Sequence, residues 1–480
     1  MAGDPVGSLG RLNEDVCHHI LSKLPMGDLM SLSTTCRPLR WECMPFLFRC
    51  VYITVYGPRQ VQRSGVFSPA WLRPYVRTLV IHDKCLDQGG RTDNYMRCGA
   101  FPGSALAERL REFPHLRSLT MHKDNSSTHG LSWETLSAIL SVPHLREFTL
   151  RWLYFCPDLR PAEELNLGSP APITSFNYRM YHPREPFNFP TETAALAAAL
   201  SKLCGTLEVL ILSSEPAPLP TFPQLHWPRL RTLAFYGMPW TTLPGPFVSL
   251  FPRMQALRSL SLKLYATSDV APQALWPSGH SYSFPWPDLE RLVITFPDPQ
   301  DEIYDHLPST LHALSLRSWP HLHVQRRWQG FWYPWRQREN ATLDSSAMLS
   351  ILHRCRTLDL VHLEVEYHTG KEDDTLLRYV ATTFPGLTSL KIHRYQSGEG
   401  QPLSAVHIAH LLAPLINLCR LKLYVDVAVI PQQIPHTNVL RDAATRITQI
   451  LGSLREIVIC SRDYPSWRTY RVLEGVIYGP

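Results

Sequence analysis

No stretch of the 480-residue sequence approaches the ~20 consecutive apolar residues needed to span a bilayer, and this excludes a transmembrane helix. The first residues, MAGDPVGSLGRLNEDV, have neither the basic nor the apolar segment of a secretory leader. The eleven cysteines (17, 36, 43, 50, 85, 98, 156, 204, 355, 419 and 460) are dispersed, odd in number and contain no C-x-x-C pair. A disulfide framework and a zinc ribbon are thereby disfavoured, and a soluble, reduced, intracellular chain is expected, cytoplasmic or nuclear. Charge of one sign is scarce too: 47 Lys and Arg against 41 Asp and Glu leave +6, too little for charge alone to mark a nucleic-acid or membrane binder. Charged residues make up 18% and hydrophobic residues 44%, the composition of a folded chain. Also missing are G-x-x-x-x-G-K-[ST], G-x-G-x-x-G, H-E-x-x-H and G-x-S-x-G, so the chain is expected to be non-catalytic, with no cofactor and no metal.

Proline, by contrast, is abundant. The 42 prolines are nearly twice the usual ~5%, which favours many short elements over long helices. Residues 12–50 read as three short helices. Asn13 caps the first, where Glu14 and Asp15 suit the positive end and Val16, Ile20, Leu21 and Leu24 share a face. Pro25 stops it, Asp28 is a second cap, and Pro38 opens a third helix before Leu39 and Trp41. Three helices in about forty residues make a small core; such a unit is a cap on the rest of the chain or a module that docks its apolar surface on a partner.

From residue 76 one signature recurs: apolar, two variable, apolar, one variable, apolar. Its thirteen instances start at Val76, Leu116, Leu145, Ile173, Leu207, Leu230, Leu257, Leu289, Leu311, Leu360, Leu387, Leu418 and Leu454. The alternating end of the signature has the period of a strand with one buried face. Segments 104–113, 133–142, 191–203, 374–384 and 440–451 are amphipathic at helical spacing. A unit of helix, loop and strand cannot bury its apolar face alone. Stacked in parallel, such units give a curved α/β solenoid with helices outside and strands on a large concave face.

Over residues 70–465 this pattern resembles the leucine-rich-repeat family. Unit starts lie 22 to 49 residues apart, against about 20–29 in regular repeats, so insertions are expected, the longest between Leu311 and Leu360. Where the family places its Asn or Cys, this chain has Lys84, Asp124, Leu153, Glu215 and Met238, which favours an irregular arc. The N-terminal segment LNEDVCHHILSKLPMGDLMSLSTTCRPLRWECMPFLFRCVYI resembles an F-box, of the kind found before leucine-rich repeats in fungal proteins. The matching features are Glu14-Asp15, Ile20-Leu21, Leu24-Pro25, Asp28-Leu29, Leu32 and Thr35-Cys36-Arg37, although the family has Pro where this chain has Asn13. The implied plan is an F-box at 9–53, a linker or cap at 54–75, the solenoid at 76–465 with an insertion near 317–345, and a tail at 466–480.

The resemblance implies a substrate receptor of a Skp–cullin–F-box (cullin-RING) ubiquitin ligase, feeding proteasomal degradation. The F-box would dock a Skp-type adaptor, and through it a cullin, while the repeats hold an unknown protein substrate. By that carry-over Leu12, Val16, Ile20, Leu21, Leu24, Pro25, Leu29 and Leu32 are adaptor-contact candidates, some of them forming the three-helix core instead. A ubiquitin-independent scaffold or sensor for protein–protein interaction is the alternative.

For the substrate, the sixth residue after each unit start faces the open side of the strand: His82, His122, Arg151, Arg179, Lys263, Arg317 and His393; Lys391 and Lys422 hold the fourth. A basic strip of this kind suits an acidic or phosphorylated segment, and Glu147, Glu364, Glu366 and Glu456 are the residues that could offset it. Residues 317–338 combine five arginines with Trp319, Trp328, Phe331, Trp332, Tyr333 and Trp335 and no acid. That composition fits a packed plug, a protein-recognition loop with Trp328, Trp332 and Trp335 as anchors, or a platform for single-stranded nucleic acid. It contains no recognisable RNA-binding motif, which argues against the last. His321 and His323, near His312, lack an evident carboxylate or thiolate partner in sequence, so a structural role is expected for them rather than metal binding. Cys36, Cys43 and Cys50 stand at apolar positions, where buried small hydrophobes rather than ligands are expected.

Overall fold

A computed structural model describes residues 13–56, 69–84, 103–123, 130–159, 163–180, 184, 189–265, 274–280, 283–324, 342–356, 358–396, 405–425, 436–461, 467–473 and 475–479. The chain divides into two compact units, residues 1–181 with 189–207 and residues 182–188 with 208–480.

The first unit opens with α1 (Glu14–Leu21), α2 (Met26–Ser33) and α3 (Arg37–Leu47). The Asn13 side chain accepts a hydrogen bond from the Asp15 N–H at 3.0 Å, as an N-cap should. Asp28 is not a cap: α2 starts behind Pro25, and Asp28 sits in its first turn. Cys17, Leu21, Leu29 and Cys43 form the core of the three helices, with Leu24, Leu32, Phe46 and Leu47 partly buried against it. Cys36 is exposed, unlike Cys43.

Five strands come next, in parallel: β1 (Cys50–Val55), β2 (Thr78–Asp83), β3 (Ser118–Lys123), β5 (Glu147–Arg151) and β7 (Ser175–Arg179). A separate parallel pair is formed by β4 (Gly130–Leu131) and β6 (Tyr154–Phe155). The α-helices among the described residues of these repeats are α4 (Gly103–Arg111), α5 (Trp133–Leu140) and α6 (Pro190–Leu203), each matching an amphipathic segment of the sequence.

The second unit stacks nine parallel strands: β8 (Val209–Ser213), β9 (Thr232–Gly237), β10 (Ser259–Leu264), β11 (Arg291–Thr295), β12 (Ala313–Arg317), β13 (His362–His368), β14 (Ser389–Tyr395), β15 (Arg420–Val425) and β16 (Glu456–Ser461). Its α-helices include α7 (Ile303–His306), α8 (Ser345–Arg354), α9 (Asp373–Thr383), α10 (Ala405–Leu411) and α11 (His436–Ile450). In the proline-rich stretch before β11 the helix position is taken by 3-10 turns, Leu219–Gln224 and Phe247–Leu250. Pro220 and Pro223 carry no N–H for an α-helical ladder there.

In both units the apolar residues of the signature point to one side. Leu79 and Ile81, Leu119 and Met121, Leu210 and Leu212, and Leu390 and Ile392 are all shut off from solvent or nearly so. All thirteen sequence signatures coincide with strands, and within each unit they stack in parallel, one strand per repeat, as leucine-rich repeats do. Among the described residues no helix is long and apolar enough to cross a membrane.

Two boundaries differ from the sequence reading. Cys50–Val55 is already a sheet strand, with Val51 opposite Leu79 and Ile53 opposite Ile81, so strand structure starts inside the segment read as F-box and runs into the one read as linker. Residues 466–480 are not a plain tail: β17 (Arg468–Leu473) runs antiparallel to β16, and β18 (Val476–Tyr478) runs antiparallel to β17. The turned-back strands cover the edge that β16 would otherwise present.

Candidate functional site

The three-helix unit sorts the adaptor candidates by burial. Leu21 (2% exposed) and Leu29 (4%) are core residues, a correction to their reading as contacts; Leu24 and Leu32 pack against that core. Val16 (47%), Ile20 (39%) and Pro25 face solvent. Leu12 lies outside the described residues. The sequence missed Met26, Met30 and Trp41, large apolar side chains that are also exposed.

In the first unit the expected basic row is present. Strand register sets His82 opposite His122, His122 opposite Arg151, and Arg151 opposite Arg179. The rings of His82 and His122 stack at 4.3 Å, and Trp152 meets His122 edge-on at 6.4 Å. Partial burial, and then the neighbouring Arg179 guanidinium, lower the pKa of Arg151. Two like charges held side by side in this way favour an anion between them. Beside the row lie Thr120, Thr149 and Asn177, opposite one another in register and uncharged.

In the second unit the expected strip is not a solvated basic row. Lys263 donates to the Tyr236 hydroxyl at 2.9 Å. Lys422 lies 3.9 Å from the centre of the Trp467 ring, and burial, then the charge of Lys391, lower its pKa. Arg317 and His393 belong to a polar cluster built on β12, β13 and β14. In register, Ser315 faces Glu364, Glu364 faces Lys391, and Glu366 faces His393. The segment after β12 brings His321 and His323 across these strands. The His321 ring stacks on His393 at 3.9 Å, and the His323 ring on Tyr424 at 4.8 Å.

Glu366 anchors that segment. Its carboxylate accepts from the Ser318 N–H (2.9 Å), the Leu322 N–H (2.8 Å), the Tyr395 hydroxyl (2.8 Å) and His321 Nδ1 (2.7 Å). Burial by itself would raise its pKa; the facing His321 and these donors outweigh burial and hold it below the usual carboxylate value. Glu364 follows the same logic: burial raises its pKa, but Arg317, Lys391 and His321, with the Ser315 hydroxyl at 2.7 Å, bring it below the ordinary value. Arg317 Nη1 donates to His321 Nε2 at 2.7 Å, and its Nε lies 3.7 Å from Glu364 Oε2. His393 is fully buried, neither of its ring nitrogens has a hydrogen-bond partner, and burial lowers its pKa well below the ordinary histidine value.

His321, which lacked a carboxylate in sequence, therefore has two, Glu364 and Glu366, whereas His323 meets the Tyr395 hydroxyl at 3.2 Å. The signal was Glu364-x-Glu366, alternating on the adjacent strand, 41 to 45 residues away from His321 and His323 in the chain. Trp328, Trp332 and Trp335, and with them most of the insertion, lie outside the described residues.

No family model matches the sequence, and no curated protein matches it. Among solved structures, the chain is similar to one titled a TLR13–ssRNA13 complex, at 15% identity and a TM-score of 0.39, over 81% of this chain and 44% of that one. It is also similar to the leucine-rich repeat-containing protein LegL7 from Legionella pneumophila, at 11% identity and a TM-score of 0.32, over 86% of this chain and 91% of that one. The chain thus spans less than half the length of the first of these.

Proposed function

We propose that the chain is a substrate receptor of a Skp–cullin–F-box ubiquitin ligase, in which α1–α3 dock a Skp-type adaptor and the repeats hold the protein to be ubiquitinated. One observation carries the reading: the small helical unit leaves a large part of its apolar surface open. Val16 and Ile20 stand one turn apart on α1, Met26 and Met30 one turn apart on α2, and Trp41 on α3. These are five of the twelve large apolar side chains exposed among the described residues. Exposed apolar patches of this density mark interaction sites, and Met and Trp are suited to them, one by adaptability and the other by contact area.

The substrate end of the proposal is the row His82, His122, Arg151 and Arg179, which suits an acidic or phosphorylated segment. In this reading the chain performs no chemistry. It raises the effective concentration of a substrate lysine near a conjugating enzyme held on the cullin, in the cytoplasm or nucleus.

The test is co-purification of the full chain from its native cytosol, as wild type and as Val16→Asp/Ile20→Asp, scored for the adaptor and a cullin. Because both residues are exposed, the variant keeps its core. Recovery of both partners by the wild type and neither by the variant supports the receptor. Recovery of neither by the wild type, or of both by the variant, overturns it and leaves a ubiquitin-independent protein-binding scaffold as the better account.

A further inference from the structure

We propose that His321, Glu364 and His393 form a binding site for a divalent transition metal of the zinc class. Nε2 of His321 lies 3.7 Å from Glu364 Oε1, and Nε2 of His393 lies 3.8 Å from the same oxygen. The three ligand atoms all fall within 4.8 Å of one another. Around tetrahedral zinc, with bonds of about 2.0–2.2 Å, ligand atoms sit roughly 3.3 Å apart, so a contraction of about half an ångström between each imidazole and the carboxylate, and of at most about 1.5 Å between the imidazoles, closes the shell. Two imidazoles and a carboxylate suit that metal class, and the fourth position is open to water or to an anionic group.

The outer partners of such a site are already in place. His321 Nδ1 is held by Glu366 Oε2 at 2.7 Å, which turns Nε2 toward Glu364. Glu364 Oε2 is held by the Ser315 hydroxyl at 2.7 Å, which leaves Oε1 for the metal. Carboxylate-held imidazoles of this kind orient metal ligands in general. His393 supplies the independent observation: it is fully buried beside these groups, and neither of its ring nitrogens has a hydrogen-bond partner. Buried polar atoms are nearly always satisfied, and a metal would satisfy this one.

Arg317 is the competitor. Its Nη1 donates to His321 Nε2 at 2.7 Å and its Nε approaches Glu364 Oε2 at 3.7 Å, so its guanidinium is the cation now held by two of the three ligands. Its side chain is 13% exposed, so metal entry requires it to give way. Lys391, opposite Glu364 in the sheet, adds a further positive charge that opposes the metal.

This inference does not depend on the ligase reading. Its test is titration of Co²⁺ and Zn²⁺ into the chelator-treated full chain, followed by calorimetry and by the visible absorption of bound cobalt. One equivalent should bind. Glu364→Gln and His321→Asn should abolish that equivalent, Ser315→Ala should weaken it about 10-fold through loss of the outer hydrogen bond, and Arg317→Gln should tighten it. Tighter binding by Arg317→Gln separates a metal site from a purely structural ion-pair network, which the same change would only weaken. Absence of a stoichiometric equivalent in both the wild type and Arg317→Gln, or binding indifferent to Glu364→Gln and His321→Asn, overturns the proposal.

Discussion

Glu366 is the side chain on which the segment after β12 depends, and its removal is the sharpest test of the packing described. Four donors converge on its carboxylate, and two of them, the Ser318 and Leu322 N–H groups, belong to that segment's backbone. Glu366→Ala leaves those N–H groups, the Tyr395 hydroxyl and His321 without their acceptor. An unsatisfied buried donor costs about 1–3 kcal/mol, but four such costs do not add, because the segment can shift to admit water. Removal of one partner from a buried charged network typically costs about 3–5 kcal/mol, and that is the expected loss here. Glu366→Gln keeps one acceptor oxygen and turns an NH₂ toward the remaining donors, at about 1–3 kcal/mol. Native-state hydrogen exchange reads the effect locally: exchange at Ser318 and Leu322 should quicken about 100-fold or more in Glu366→Ala. A change under about fivefold, with the sheet amides unaltered, would refute the claim that this carboxylate holds the segment in place.

Two further outcomes are set by the charges. Arg151→Glu reverses the middle of the basic row at an exposed position, and should weaken binding of an acidic or phosphorylated peptide at least 10-fold while leaving the thermal midpoint within about a degree; unaltered peptide affinity would remove the row from recognition. Asp305, hydrogen-bonded by Arg354, and Asp344, which caps α8 through the Ala347 N–H, both have lowered folded pKa values. Their unfolded counterparts titrate near about 3.9, so below that the unfolded state takes up the proton first. Their contribution to stability is therefore full above about pH 5 and declines as the pH falls through the folded values; a thermal midpoint that did not decline between pH 5 and pH 3 would contradict it.

The strands were legible because a period of two with one buried face leaves its mark on the sequence wherever it recurs, and all thirteen signatures are strands. The first strand was not read, although Phe48-Val51-Ile53 carries the same signature, because those residues fall within the F-box resemblance. The three-helix unit shows what helical periodicity cannot resolve. Val16, Ile20 and Leu21 all fall on one apolar stripe, yet only Leu21 turns into a core too small to hold the others. In the basic row, Arg151 and Arg179 were legible because identical repeat positions on parallel neighbours become spatial neighbours. The polar cluster was not, because it needs a segment outside the repeat: His321 and His323 meet Glu364, Glu366 and His393 only when the chain after β12 crosses the strand faces. No repeat position encodes that crossing.

The proposed role turns on whether the open face of α1–α3 binds an adaptor. Calorimetric titration of the purified Skp-type adaptor into the purified full chain, as wild type and as Val16→Asp/Ile20→Asp, asks this without other subunits. The receptor account predicts a one-to-one complex with a negative heat-capacity change from apolar burial, lost in the folded variant. Absence of binding by the wild type, or equal binding by both proteins, would contradict it.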